Sequence, residues 1–278
     1  MAEEKDLEVV DVKPDSDNHE SKKPKKKNIV VTWMILLVGI ALVCFAGYQL
    51  FQIFSEYKKG DNIYDDTKKS YVREKEISGK KEEKKEVPWY ELVEVDFDGL
   101  NELNPDIVGW IYFENGDISY PILYSGDNET YLYTAVDKTP LRSGSIFMEQ
   151  YNHPDFQDSH TIIYGHNMKD LSMFSKLRYY FSDEEYYDDH QYFQIITRDA
   201  VYRYVIFAYQ DVPEDSEFFN VSFEADDYFS IFLDNMVNAS LRNTGIDVTK
   251  EDKVITLSTC STDTTRWLVH GKRVDTYE

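Results

Sequence analysis

The heptapeptide Val254-Ile255-Thr256-Leu257-Ser258-Thr259-Cys260 has the pattern of a β-strand that ends in a thiol. β-Branched residues dominate it, and they suit the pleated, half-buried surface of a β-strand. The run ends at Cys260, because the polar segment 261–265 cannot continue the strand. Arg266 follows, and the segment 267–270 predicts a second strand. A hairpin of these two strands would bring a thiol and a guanidinium side by side.

A thiol beside a fixed positive charge is open to two interpretations. The charge favours the thiolate, which is the nucleophilic form of cysteine. Most free cysteines, however, are small buried side chains without a chemical role, and the spacing of Cys260 and Arg266 alone favours that interpretation. The only other cysteine, Cys44, lies in an apolar segment, so a disulfide framework is excluded.

The net charge of −22 is concentrated in one part of the chain. Residues 88–278 carry 35 acidic and 13 basic side chains, which accounts for the whole excess. A field of this sign repels phosphates and argues against nucleic acid as a partner. It is compatible with partners that carry amines.

The composition divides the chain into four segments. Residues 1–28 are charged and poor in large apolar groups, which predicts a disordered tail. Residues 29–54 carry no charge and are long enough to cross a hydrocarbon core of roughly 30 Å as a helix, which predicts a transmembrane anchor. Residues 55–87 alternate Lys and Glu in blocks and predict a polar linker, with a solvated helix over part of it as the alternative. Residues 88–278 predict the folded domain.

The basic cluster at 22–27 predicts the orientation of the anchor. Lysines flank the cytoplasmic end of membrane helices, so we expect a cytoplasmic N-terminus and an extracellular folded domain. The apolar run is too long for the core of a cleaved signal peptide. Val43 stands before Cys44, where a lipoprotein signal requires a small residue.

Short strands with turn residues between them predict a barrel or a sandwich. Besides the two strands around Cys260, we expect strands at 108–113, 118–123, 145–148, 160–164, 192–196 and 200–208, with Asn115-Gly116 as a hairpin turn. Residues 89–104 predict one or two short helices. Residues 222–242 predict a long helix with Ser222 as its N-cap and an apolar stripe that faces the core.

Among the six histidines, His166 is the best candidate for a base. It follows the expected strand 160–164 and Gly165, which we expect to allow a sharp turn that exposes the imidazole at a strand end. That position mirrors Cys260. A loop histidine on the surface is the alternative interpretation. No cluster of His, Cys and carboxylates has the spacing of a metal site, so no metal or other cofactor is expected.

Taken together, Tyr164-Gly165-His166-Asn167, Thr256-Leu257-Ser258-Thr259-Cys260 and Arg266 resemble the sortases, membrane-anchored transpeptidases of Gram-positive bacteria. The resemblance runs from about Trp89 to the C-terminus and is most specific to class B, because the short helices at 89–104 and the long helix at 222–242 match that class. It implies a mainly β fold, a closed sortase-type barrel of about eight strands. The anchor would precede it, and the long helix would come before the last two strands.

The resemblance also implies roles for individual residues. His166, Cys260 and Arg266 would be catalytic. The spacing of six residues between the last two is shorter than in many sortases, and Arg273 is the reserve candidate. Four further residues would bind the substrate: Asn128, Leu132, Tyr228 and Ser258.

The implied reaction is cleavage of a C-terminal sorting signal, NPxTx-like for class B, after its Thr, followed by transfer of the acyl group to a peptidoglycan amine. The partners would be surface proteins bearing that signal, a cell-wall precursor or cross-bridge, and the membrane. A pilin-polymerising sortase, a secreted cysteine peptidase and a non-catalytic tethered module are the alternatives. The exact motif, the acceptor amine, the cargo, the oligomeric state and calcium binding stay open.

Overall fold

The computed structural model describes residues 29–75, 87–116 and 118–278. The expected tail at 1–28 lies outside the described residues, as do residues 76–86 of the expected linker. The chain divides into two compact units between Leu50 and Phe51.

Helix α1 (Ile29–Tyr71) begins in the first unit. Its residues from 29 to 54 are exposed and apolar, and a window of 18 residues has a mean hydropathy of 2.8. By length and composition this part of the helix could cross a membrane. An apolar helix therefore lies where the sequence predicted one.

The remaining elements lie in the second unit. In chain order they are β1 (Val72–Glu74), β2 (Val93–Val95), α2 (Phe97–Leu103), β3 (Ile107–Phe113), β4 (Ser119–Leu123), β5 (Ile146–Met148), β6 (His160–Tyr164), α3 (Tyr179–Ser182), α4 (Tyr186–Asp189), β7 (Tyr192–Ile196), β8 (Val201–Pro213), α5 (Asp227–Ala239), β9 (Val254–Cys260) and β10 (Thr265–Tyr277).

Strands β3 to β10 close into a barrel in the order β10-β8-β7-β3-β4-β5-β6-β9. The predicted closed barrel of about eight strands is therefore confirmed. Strands β3 and β4 form the antiparallel hairpin predicted from Asn115-Gly116. Two pairs of neighbouring strands are parallel, β4 with β5 and β6 with β9. The pairing of β6 with β9 positions the site described below.

Successive side chains of a strand point to opposite faces of the sheet, so one strand contributes to different core clusters. Ile111 and Phe113 of β3 belong to the main core cluster, whereas Tyr112 between them packs in the cluster that includes Val93 of β2 and Leu100 of α2. A further cluster lies between the barrel and α5, where Phe229 and Phe232 pack against strand residues. The long helix therefore covers one side of the barrel wall.

The second half of α1 packs on the barrel, which differs from the polar linker predicted over 55–87. Tyr64 is buried, donates a hydrogen bond of 2.6 Å to the carbonyl of Gly144 and contacts Tyr120 edge-on. Gly60 and Thr67 are buried on the same face. Residues spaced three and four apart share one face of a helix, so a polar sequence can still present a packing stripe.

Two other boundaries differ from the prediction. Residues 89–104 contain strand β2 as well as α2, because β2 pairs antiparallel with β1, which directly follows α1. Helix α5 is shorter than 222–242, and its N-cap is Asp226 rather than Ser222. The Asp226 carboxylate accepts a hydrogen bond of 3.0 Å from the backbone N–H of Phe229.

Candidate active site

A groove with a volume of about 270 Å³ lies where β6 and β9 end and β10 begins. Ten residues line it: Asn128, Leu132, Phe147, Tyr164, Gly165, His166, Ser258, Thr259, Cys260 and Arg266. Six of the seven site residues predicted from the sequence are among them.

Tyr228 is the exception, because it does not line this groove. It lies on α5, is 61% exposed and has its ring against Phe223, with ring centroids 5.6 Å apart. The next residue, Phe229, takes the buried side of the helix. Consecutive helical residues do not share a face, so Tyr228 faces solvent.

Cys260 is the last residue of β9 and carries a free, half-buried thiol. It stands directly opposite Arg266 in the antiparallel β9–β10 pairing. Cross-strand partners point to the same face of a sheet, so both side chains reach the groove. The short spacing of six residues is thus that of a tight hairpin.

The parallel pairing of β6 with β9 brings His166 to the same place. Tyr164 is aligned with Ser258, and the backbone N–H of Gly165 donates a hydrogen bond of 3.1 Å to the Ser258 carbonyl. Because the two strands run in the same direction, the residues that follow each of them meet at one edge of the barrel. His166 lies two residues after Tyr164, and Cys260 lies two residues after Ser258.

Gly165 serves a different purpose from the sharp turn that we predicted. Its φ lies outside the left-handed region. A Cβ at this position would instead lie 2.7 Å from Cδ2 of Phe174 and would overlap Ile146. Glycine is required here because the chain passes close to packed side chains.

The imidazole of His166 is held by a backbone carbonyl. Its Nε2 lies 2.8 Å from the carbonyl oxygen of Leu132, which can only accept, so Nε2 carries a proton and the neutral ring has its lone pair at Nδ1. Burial lowers the pKa of His166 below its ordinary value, the hydrogen bond to Leu132 opposes that shift, and the charge of Arg142 adds to it. The ring of Tyr133 lies beside the imidazole, with centroids 5.8 Å apart.

The guanidinium of Arg266 is oriented by an ion pair. Its Nη2 lies 2.7 Å from Oε2 of Glu214, and its Nη1 donates to the carbonyl of Thr265 at 2.9 Å. Arg273, the reserve candidate, is absent from the groove lining. It donates to the Tyr204 hydroxyl at 3.0 Å and lies 3.9 Å from the ring centroid of Tyr202, which indicates a structural role.

Two further residues, Glu149 and Asn167, hold the site, although no role was predicted for them. Glu149 is buried, and its Oε2 accepts hydrogen bonds from Asn128 and Tyr164. Asn167 donates from its side-chain amide to the carbonyl of Cys260 at 2.7 Å. One signal for Glu149 was present, because it is a lone acid directly after the apolar strand β5.

Metal ligands do not form a cluster in the part of the chain that the structure describes. Within residues 29–75, 87–116 and 118–278, no group of three or more His, Cys, Asp or Glu side chains could hold a metal ion.

Comparison with known proteins identifies the family of the chain. The family model for the sortase domain matches residues 113–274. Sortase B of Listeria monocytogenes serovar 1/2a is 32% identical over 244 residues, which are 86% of this chain and 95% of that protein. The chain belongs to the sortase family. This sortase is therefore a cysteine transpeptidase by family.

Further relatives are also class B enzymes. Sortase B of Staphylococcus aureus is 29% identical to this sortase over 249 residues, which are 88% of this chain and 96% of that protein. The crystal structure of sortase B from B. anthracis in complex with AAEK1 has a TM-score of 0.67 at 31% identity. That match covers 80% of this chain and 99% of the other, so the barrel is the sortase B barrel.

Proposed function

We propose that this sortase cleaves a C-terminal sorting signal of the NPxTx type after its Thr and transfers the acyl group to a peptidoglycan amine. The proposal rests on the shared groove. The thiol of Cys260, the imidazole of His166 and the guanidinium of Arg266 line it together with Asn128 and Leu132. Acyl transfer requires a nucleophile, a base and a hydrogen-bond donor for the oxyanion within one cleft.

The first half of the reaction would form a thioester. Because the lowered pKa keeps His166 neutral near pH 7, its Nδ1 can accept the thiol proton as Sγ of Cys260 attacks the Thr carbonyl. Arg266 would donate to the oxyanion of the tetrahedral intermediate. The imidazolium then gives its proton to the departing amine as the peptide C–N bond breaks.

The second half would reverse these roles. An incoming amine attacks the thioester carbonyl, and His166 takes a proton from it. The C–S bond breaks, the thiolate of Cys260 recovers its proton, and a new amide joins the surface protein to the cell wall. Water in place of the amine would give hydrolysis only.

The position in the cell is part of the proposal. The apolar part of α1 could anchor the enzyme, and the basic cluster at 22–27 supports a cytoplasmic N-terminus with an extracellular catalytic domain. Protease treatment of intact protoplasts tests this. We expect degradation of the barrel and protection of a tag placed at the N-terminus, and protection of the barrel would contradict the orientation.

The reaction is tested with the full-length protein in detergent, a set of NPxTx-like peptides and candidate amines, with products identified by mass spectrometry. We expect a peptide–amine adduct that depends on the amine, and none from Cys260→Ala. Hydrolysis alone, with every amine, would identify a peptidase. Unchanged rates in Cys260→Ala would refute the assignment of the nucleophile.

A further inference from the structure

A buried carboxylate lies behind one wall of the groove. Glu149 directly follows β5 and is only 6% exposed. Its Oε2 accepts a hydrogen bond of 2.7 Å from Nδ2 of Asn128 and one of 2.8 Å from the hydroxyl of Tyr164. Both donors line the groove, so a single buried acid holds two groove-lining side chains.

The orientation of the Asn128 amide follows from its second partner. The backbone N–H of Gln150 donates to Oδ1 of Asn128 at 2.9 Å, which identifies the oxygen end of the amide. Nδ2 therefore faces Glu149. One of its two hydrogens is used there, and the other remains to be donated elsewhere.

The negative charge of Glu149 gives this arrangement its strength. A hydrogen bond to a carboxylate is roughly twice as strong as one between neutral groups, and it polarises the donor amide. Burial raises the pKa of the Tyr164 hydroxyl, and the charge of Glu149 raises it further, so Tyr164 stays a protonated donor. Both groove residues are thus held in one hydrogen-bonding state.

We infer that Glu149 is a positioning residue that makes Asn128 present an N–H donor to the groove. The end of the groove at Asn128 would then select a carbonyl oxygen of the bound peptide. This inference rests on the proposed function, since the peptide is the sorting signal of that proposal. Glu149 itself lies behind the wall and would act only through Asn128 and Tyr164.

The kinetic test uses Glu149→Gln, which keeps the size of the side chain and removes its charge. We expect KM for the peptide to rise about tenfold while kcat changes less than about twofold, since only ground-state positioning is lost. Glu149→Ala should show the same pattern with a larger rise in KM. If Glu149→Ala does not fold, Glu149→Gln alone decides.

A double-mutant cycle separates positioning from a merely structural role. In an Asn128→Ala background, Glu149→Gln should raise KM less than about twofold further, because the residue it positions is gone. Full additivity of the two effects, or a fall in kcat at unchanged KM, would overturn the inference. Glu114→Gln is the matched control. It removes a different carboxylate, which does not line the groove and whose Oε1 lies 2.7 Å from Nε of Arg203, and it should leave KM unchanged.

A spectroscopic measurement keeps the inference testable even if no peptide is processed. In an ¹⁵N-labelled sample of the full chain in detergent, the Asn128 side-chain amide should show slow hydrogen exchange. That protection should fall at least about tenfold in Glu149→Gln and persist in Glu114→Gln. Unchanged protection in Glu149→Gln would refute the positioning role. Lost protection in Glu149→Gln, together with a parent protein that cleaves no peptide, would support the positioning role and refute the proposed function.

Discussion

Asn167 holds the backbone of Cys260 through a hydrogen bond of 2.7 Å from its side-chain Nδ2 to the Cys260 carbonyl. The amide of Asn167 is itself oriented by Arg178, whose Nη2 donates to Oδ1 at 2.6 Å. Asn167 follows His166 directly in the chain. One side chain therefore links the segment that carries the base to the strand that carries the nucleophile.

Loss of this link should slow catalysis without unfolding the protein. We expect Asn167→Ala to lower kcat/KM about tenfold, since small displacements of reacting groups are costly. Asn167→Asp should be as slow, because a carboxylate cannot donate to a carbonyl. Steady-state peptide cleavage measures both variants. Asn235→Ala removes an exposed amide on α5 and should keep the parent rate. Parent rates in both Asn167 variants would contradict the link.

Replacement of Arg266 by Lys tests the need for a planar, forked donor. Lys keeps the charge but has no rigid fork, so we expect kcat to fall about 100-fold, as for removal of one oxyanion donor. Arg273→Lys is the control on the same strand. It lies outside the groove lining and should lower thermal stability while it leaves kcat unchanged. A slow Arg273→Lys beside an active Arg266→Lys would reverse the two roles.

Gly144 lies close to the Leu132 carbonyl, which accepts the hydrogen bond from His166. Its φ is +51°, and a Cβ there would overlap the backbone oxygens of Tyr131 and Leu132. We expect Gly144→Ala to displace the Leu132 carbonyl, to lower the free energy of unfolding by about 2–3 kcal/mol and to reduce kcat. Denaturant titration and peptide cleavage measure these effects.

Gly245→Ala is the matched control for Gly144. It has a similar φ of +71°, but its Cβ would meet open space. It should cost about 1 kcal/mol of stability through backbone strain and leave catalysis unchanged. Equal losses of activity in the two variants would show that Gly144 acts through general stability only.

Two buried histidines should make the barrel acid-sensitive. Nε2 of His160 and Nδ1 of His270 both contact the hydroxyl of Thr256, at 2.6 and 2.7 Å. Burial lowers the pKa of His160 to about 4 and lowers the pKa of His270 well below its ordinary value. The unfolded chain therefore binds more protons than the folded one between about pH 6.5 and pH 4.

Stability should consequently be complete above pH 6.5 and fall as the pH drops toward 4, by about 1 kcal/mol per pH unit for each histidine. Urea titrations between pH 7.5 and 4.5 measure the slope. His160→Gln should reduce it. His153→Gln should not, because His153 is exposed and the adjacent Asp158 raises its pKa. An equal slope in His160→Gln and the parent protein would contradict the assignment.

The sequence predicted the barrel strands best where glycine or polar residues mark their ends. Strands β6, β7 and β9 have the predicted bounds, because Gly165, Thr197 and Ser261 follow them directly. Strands β8 and β10 extend beyond the predicted runs, since barrel pairing continues through polar residues that break the pattern. The pairing of β1 with β2 was not predictable, because it joins segments separated by the region 76–86.

The candidate site was predictable in its chemistry but less so in its support. Cys260, His166 and Arg266 lie at strand ends and carry distinctive motifs, so the sequence identified them. Glu149 gives no motif, and its importance comes from neighbours that folding brings within hydrogen-bond distance. In α1, the packing stripe that includes Gly60, Tyr64 and Thr67 was a signal that the polar composition around it obscured.

Strand β9 has β6 on one side and β10 on the other, so the three groups of the site arrive from three adjacent strands. Until β9 has inserted between its neighbours, the sulfur, the imidazole and the guanidinium occupy unrelated positions. The catalytic groups are therefore assembled only when the barrel is complete, and a chain that has not finished folding lacks the site.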